Sequence, residues 1–210
     1  MNLLRCSMMV LCIAMATIGH AQERSALPDA GETLAGPALA QALQRGGFTL
    51  YFRHARTDFS QNDRDMKGFD DCAKQRNLSD AGRGDARAVA EAMRSLKLAF
   101  SEVLASPYCR TMETARLMTG RATSTREVLG AMTPGGKPDY SALEKILATP
   151  PARGTLRMIS SHGNPFAAIA GAPHLAEGEA AVIRGDGGRW TIVARIRVED
   201  WRGLNSEARK

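Results

Sequence analysis

Phe48-Thr49-Leu50-Tyr51-Phe52-Arg53-His54-Ala55-Arg56-Thr57 is an apolar, aromatic-rich run that passes straight into an arginine–histidine pair. Gly46-Gly47 precede it, and its first residues have the content of a buried strand. A buried strand that ends on Arg53-His54-Ala55-Arg56 needs an anion or solvent at that end, because unpaired buried charge is costly. Solvent is explanation enough for this stretch alone. Later strands that end in similar chemistry favour the anion.

Working outward, Thr33 to Arg45 carries Leu34, Ala38, Leu39, Ala42 and Leu43 at helical spacing, with Thr33 as the expected cap and Gly46-Gly47 as the stop. Residues 58–76 are rich in Asp and Asn and lack periodicity, which reads as a long loop of the functional kind. Ser79 opens a helix to Leu98, with Ala86, Val89, Ala90, Met93 and Leu96 on one face. Val103-Leu104-Ala105 is a short strand that runs into Ser106-Pro107, and a helix over Thr111–Met118 follows Arg110. A further strand is expected at Glu127-Val128-Leu129, a Gly/Pro loop over 132–138, and a helix over Ser141–Ala148. Leu156 to Ser160 reads as a strand ending in Ser161-His162-Gly163-Asn164, with Asn164 as a helix cap. Two terminal strands, Ala180–Arg184 and Trp190–Val198, form a hairpin around Asp186-Gly187-Gly188. Alternating strands and helices predict a three-layer α/β/α sandwich with a mostly parallel central sheet. Ligands of such sheets sit beyond the carboxyl ends of the strands, which is where Arg53-His54, Ser106 to Arg110 and His162-Gly163 all fall.

The chain has 210 residues, 44% hydrophobic and 24% charged, with a net charge of +6 and a pI near 9.5. The positive balance suits acidic small molecules or anionic surfaces. No dense Lys/Arg run with interleaved aromatics supports a nucleic-acid partner. Arg5, the apolar run Cys6–Ile18 and the small residues before Gln22 read as a signal peptide cleaved after Ala21. The expected organisation is therefore residues 1–21 as signal and 22–210 as a single domain, located in the periplasm or secreted, without stable membrane insertion after cleavage. Cleavage removes Cys6 and Cys12 and leaves Cys72 and Cys109. An even pair in an oxidising compartment predicts one disulfide.

Two histidines and several arginines at converging strand ends suit phosphoryl chemistry. Guanidinium groups bind phosphate bidentately and stay charged. A neutral imidazole is a nucleophile toward phosphorus, and arginines aimed at the charged oxygens favour the reaction. His54, His162 and His174 lack zinc-like spacing, so neither metal nor other cofactor is expected. Arg53-His54-Ala55-Arg56-Thr57, Ser106-Pro107-Tyr108-Cys109-Arg110-Thr111-Met112-Glu113-Thr114-Ala115 and Ser161-His162-Gly163, in this order and spacing, resemble the three motifs of the histidine phosphatase superfamily, also called phosphoglycerate mutase-like. The resemblance extends over about residues 48–201. It implies the fold just derived, with His54 as the phosphorylated nucleophile and Arg53, Arg110 and His162 as its phosphate pocket. Arg56, at a variable motif position, is an expected extra contact to the substrate anion.

Departures from the family pattern narrow the expectation. Ala55 stands where the family usually has glycine, which requires a negative φ there. Thr57 and Gly163 stand where the phytase-like branch has Arg and Asp. Gly130-Ala131 follow Leu129 where mutase-type members place a proton-donating glutamate. Glu177 is the first choice for that donor, with Glu179, Glu127 and Asp58 as alternatives; an acyl phosphate or phosphohistidine would need none. The resulting expectation is an exported, metal-independent phosphatase acting on a phosphorylated small molecule or envelope glycan. Two alternatives stay open: a weakly catalytic module that binds phosphate or anionic glycans, and a mutase-like phosphotransferase.

Overall fold

Residue alternation along two adjacent strands builds the layers. The computed structural model describes residues 33–207, so the expected signal peptide lies outside the described residues. In β1 (Thr49–Arg53), Leu50 and Phe52 face one apolar cluster while Tyr51 faces another. In β6 (Leu156–Ser161), Met158 and Ile159 divide in the same way. Strands buried on both faces require cover on both. On the first face lie α1 (Gly36–Arg45), α2 (Asp80–Ser95), α3 (Cys109–Thr119) and α6 (Trp201–Glu207). On the second lie α4 (Ser141–Ala148) and α5 (Gly163–Ala170). The result is the expected α/β/α sandwich.

The sheet holds six strands in the order β3-β2-β6-β1-β7-β8, where β2 is Phe100–Ala105, β3 Thr123–Ser124, β7 Ala180–Gly185 and β8 Trp190–Ile196. β1, β2, β3 and β6 run parallel; β7 and β8 form the antiparallel hairpin at one edge. Register places Arg53 opposite Ser161 and Ala105 opposite Ser160. The three expected motifs therefore leave the sheet side by side at one end.

Four details differ from the sequence reading. The cap of α1 is Ala35 rather than Thr33, and its side chain makes no capping bond; Pro37, with its preset φ, opens the helix instead. Residues 127–129 are not a strand. The Ser161 hydroxyl donates to the Val128 carbonyl at 2.6 Å and Leu129 N–H to Arg126 at 2.9 Å, which turns the backbone away from the sheet. The edge position goes to the shorter β3. Residues 132–138 are not wholly irregular either: β4 (Ala131–Met132) and β5 (Pro138–Asp139) pair as a small hairpin. The cap of α5 is His162 itself, and Asn164 sits in the first turn.

One close approach positions the start of the site. α2 begins at Ser79, whose hydroxyl accepts from Gly82 N–H at 3.1 Å. At Gly82 the helix backbone lies against the backbone of Arg56, with no space for a Cβ. The segment leaving β1 is thereby pressed between α2 and the sheet.

Candidate active site

His54 sits just past the end of β1, and its backbone is fixed from three sides. His54 N–H donates to Ser161 at 2.9 Å, its carbonyl accepts from Gly178 N–H at 2.9 Å, and Ala55 N–H donates to the Thr114 hydroxyl of α3 at 3.1 Å. Ala55 is fully buried and does not take a positive φ, as the replacement of glycine requires. The His54 ring is 2% exposed, and Nδ1 lies 3.0 Å from the Ala55 carbonyl. A carbonyl only accepts, so Nδ1 carries the proton in this bond and Nε2 keeps its lone pair.

His162 stands edge-on to His54, with ring centroids 5.5 Å apart. Its Nε2 is 2.8 Å from Ser106 Oγ, which pairs at 2.9 Å with Thr111 Oγ1. The second motif thus orients the histidine of the third. Gly163 follows because Arg53 packs against it: a Cβ there would lie 3.3 Å from the Arg53 side chain. Both histidines belong to a cavity of about 320 Å³ that also takes in Arg53, Arg110, Arg76 and Tyr108.

The arginines are held by some of their nitrogens and leave others unused. Arg53 donates from Nη1 to the Leu175 carbonyl at 2.9 Å, and Arg110 from Nη1 to Asp63 at 3.0 Å. The Nε–H of Arg53, Arg76 and Arg110 is buried in each case without a hydrogen-bond partner. Buried donors of this kind are costly unless they meet an acceptor. Three such arginines around one cavity are an arrangement that suits an anion, and the Tyr108 ring beneath Arg110, at 4.4 Å, fixes that guanidinium further.

Electrostatics keep both imidazoles neutral. Burial is the main cause that lowers the His54 pKa, to about 3, with Arg110, Arg53 and Arg76 adding to it and the Ala55 carbonyl opposing. His162 is driven well below its ordinary value by burial first, then by Arg110. Between pH 6.5 and about 3 the unfolded chain therefore binds more protons at position 54 than the folded one. Stability from this group is full above 6.5 and is lost as the pH falls toward 3. Denaturant unfolding at stepped pH should show a stability slope about one proton shallower for His54→Gln, ~1.4 kcal/mol per pH unit. An unchanged slope would assign the acid sensitivity to other groups.

The structure relocates several expected residues. Arg56 is not in the pocket: its guanidinium is paired with both carboxylate oxygens of Asp85 on α2 and is 55% exposed. The backbone contact at Gly82 brings Asp85, one helical turn on, within its reach. Glu177 is close to His54 but on its Nδ1 side, 3.9 Å away. Thr57 holds that carboxylate through its hydroxyl at 2.9 Å and its N–H at 3.2 Å, and Arg53 lies 3.6 Å from it. It does not line the cavity that holds Arg53, Arg76 and Arg110, so its place suits orientation of His54 better than protonation of a leaving group. Glu179 is occupied by Arg195 at 2.7 Å, Asp58 by Ser60, and Glu127 sits on the exposed turn after β3. Asn164 lines the cavity rather than capping α5.

Cys72 and Cys109 are joined, with Cα atoms 5.7 Å apart. The bond ties the 58–77 loop to the first residue of α3, beside Arg110. Sequence reasoning missed Arg76, Tyr108 and Asp63. The one signal that pointed to Arg76 was its place four residues after Cys72, on the loop that the disulfide draws to the site.

The family model of the histidine phosphatase superfamily (branch 1) matches residues 50–130. No curated protein matches the chain. Among solved structures, a mycobacterial glucosyl-3-phosphoglycerate phosphatase in complex with inorganic phosphate superposes with a TM-score of 0.51 at 18% identity, covering 73% of this chain and 99% of that one. The protein histidine phosphatase SixA, complexed with tungstate, gives 0.49 at 20% identity, over 73% of this chain and 98% of that one.

Proposed function

We propose that this chain, which the histidine phosphatase superfamily model matches over residues 50–130, hydrolyses phosphomonoesters through a phosphohistidine on His54, without a metal. One observation carries the reading: a neutral His54 with Nε2 unprotonated faces a cavity in which buried guanidinium donors lack partners. In the first step the Nε2 lone pair forms a bond to phosphorus, and the ester P–O bond breaks with its electrons on the leaving oxygen. Arg53 and Arg110 neutralise the phosphoryl oxygens through both steps. With phosphorus on Nε2 and the proton kept on Nδ1, the ring becomes cationic. Glu177, 3.9 Å from Nδ1, stabilises that charge. In the second step water attacks phosphorus, the P–N bond breaks with its electrons back on Nε2, and inorganic phosphate leaves.

Among the described residues, the cavity includes no carboxylate. Substrates whose leaving oxygen departs as a stable anion, such as aryl and acyl phosphates, suit such a site best. The intact pair His54 and His162 favours turnover over simple binding, which needs only the arginines. An exported location fits the N-terminal sequence and the disulfide. Phosphate release from a series of aryl phosphates in metal chelator tests the reading. Turnover should persist under chelation and fall steeply as the leaving phenol becomes less acidic. A folded protein that releases nothing from these esters or from sugar phosphates would refute it.

A further inference from the structure

Arg76 lies outside the three motifs, yet it is built into the cavity as firmly as the motif arginines. Its backbone N–H donates to Asp63 Oδ1 at 2.9 Å, and the same oxygen accepts from Arg110 Nη1 at 3.0 Å. Arg110 Nη1 also reaches the Arg76 carbonyl at 3.3 Å. One carboxylate therefore sets the spacing of two arginines. Gln75, fully enclosed, donates to Phe69 and accepts from Cys109 N–H at 2.9 Å, which stitches the residue before Arg76 to the residue before Arg110. The disulfide repeats the link three residues earlier, from Cys72 to the same Cys109. The Phe59 ring lies 5.0 Å below the Arg76 guanidinium and fixes its plane.

Holding two guanidinium groups together in a buried cavity is unfavourable unless an anion is shared between them. Asp63 offsets part of that repulsion, but its oxygen meets the backbone of Arg76 and leaves the Nε–H buried without a partner. A phosphoryl group in transfer presents three equatorial oxygens, and three arginines line this cavity, each with a buried Nε–H that has no partner. We propose that Arg76 is a third phosphate-binding arginine, which contacts the transferring phosphoryl group together with Arg53 and Arg110. This inference rests on the phosphatase reading of the cavity, and its test separates the two.

Calorimetric titration with inorganic phosphate reads the contact without turnover. Arg76→Gln should weaken phosphate affinity by roughly 10- to 100-fold, the factor of one charge-assisted hydrogen bond. Arg56→Ala, at an exposed guanidinium outside the cavity, should leave it unchanged. In steady-state hydrolysis Arg76→Gln should lower kcat/KM by at least the same factor. Arg76→Lys keeps the charge but loses the planar donor, and should recover only part of the affinity. Wild-type phosphate affinity in Arg76→Gln overturns the proposal. If that variant does not fold, wild-type affinity in Arg76→Lys overturns it equally. A wild type that binds phosphate through Arg76 but turns over no ester refutes the phosphatase reading and keeps the contact. One that turns over esters with no change in Arg76→Gln refutes the contact alone. A wild type that binds no phosphate refutes both.

Discussion

His54→Ala is expected to remove phosphate release, lowering kcat by about 10⁴-fold or more, because no second nucleophile stands in the same place. His162 is the nearest other imidazole, but its Nε2 is engaged with Ser106 and its ring lies edge-on to His54. The arginines remain in the variant, so binding of inorganic phosphate should survive while chemistry is lost. That split separates a nucleophile from a residue that merely shapes the cavity. Rapid acid or alkaline quench of the wild type on a fast aryl phosphate should reveal phosphoprotein that is labile to acid and stable to alkali. The variant should form none. Residual turnover within tenfold of wild type would mean that water attacks the ester directly and that His54 only assists.

The second large effect concerns stability. Replacing both Cys72 and Cys109 with serine should destabilise the protein by about 3–4 kcal/mol in the chain-entropy account, since the bond closes a loop spanning 37 positions. Activity should suffer through KM before kcat. The loop carries Arg76 and Asp63, and the other end of the bond adjoins Arg110, so loosening it disperses phosphate-binding groups and spares His54. Denaturant melts of the oxidised and reduced wild type, with kinetics on each, check both parts. Equal melting would show that Gln75 and Asp63 hold the loop unaided. An unchanged KM would show that the arginines are positioned independently of it.

Much of this site is legible in the sequence because its parts are local. Strand-to-polar transitions mark Arg53-His54, Ser106 and His162, and the even cysteine pair marks the loop that joins them. What escapes the sequence is contact between distant segments. Arg56 and Arg76 look alike on paper, each an arginine in a polar stretch near the nucleophile. Asp85, 29 residues away, captures Arg56 because Gly82 lets α2 approach the backbone there. Arg76 enters the cavity because Asp63, Gln75 and the disulfide draw an aperiodic loop against α3. Glu177, expected as a proton donor, lies beside Nδ1 of His54 and outside the cavity, since a one-dimensional reading carries no ring orientation. The failed strand at 127–129 has the same origin: a single hydroxyl, that of Ser161, competes for the carbonyl that a strand would use.

The tight seat of α2 at Gly82 divides labour within the molecule. His54 hangs from the chassis, clamped by sheet, helix and the Gly178 turn, whereas Arg76, Leu129 and Tyr140 bring loop residues to the cavity wall. Walls of that kind can be exchanged, lengthened or recoded while the reacting nitrogen stays in place. The residues around 58–77 and 129–140 are therefore the natural targets for redirecting this scaffold to new phosphate esters, and Gly82 is the position that any such library should leave untouched.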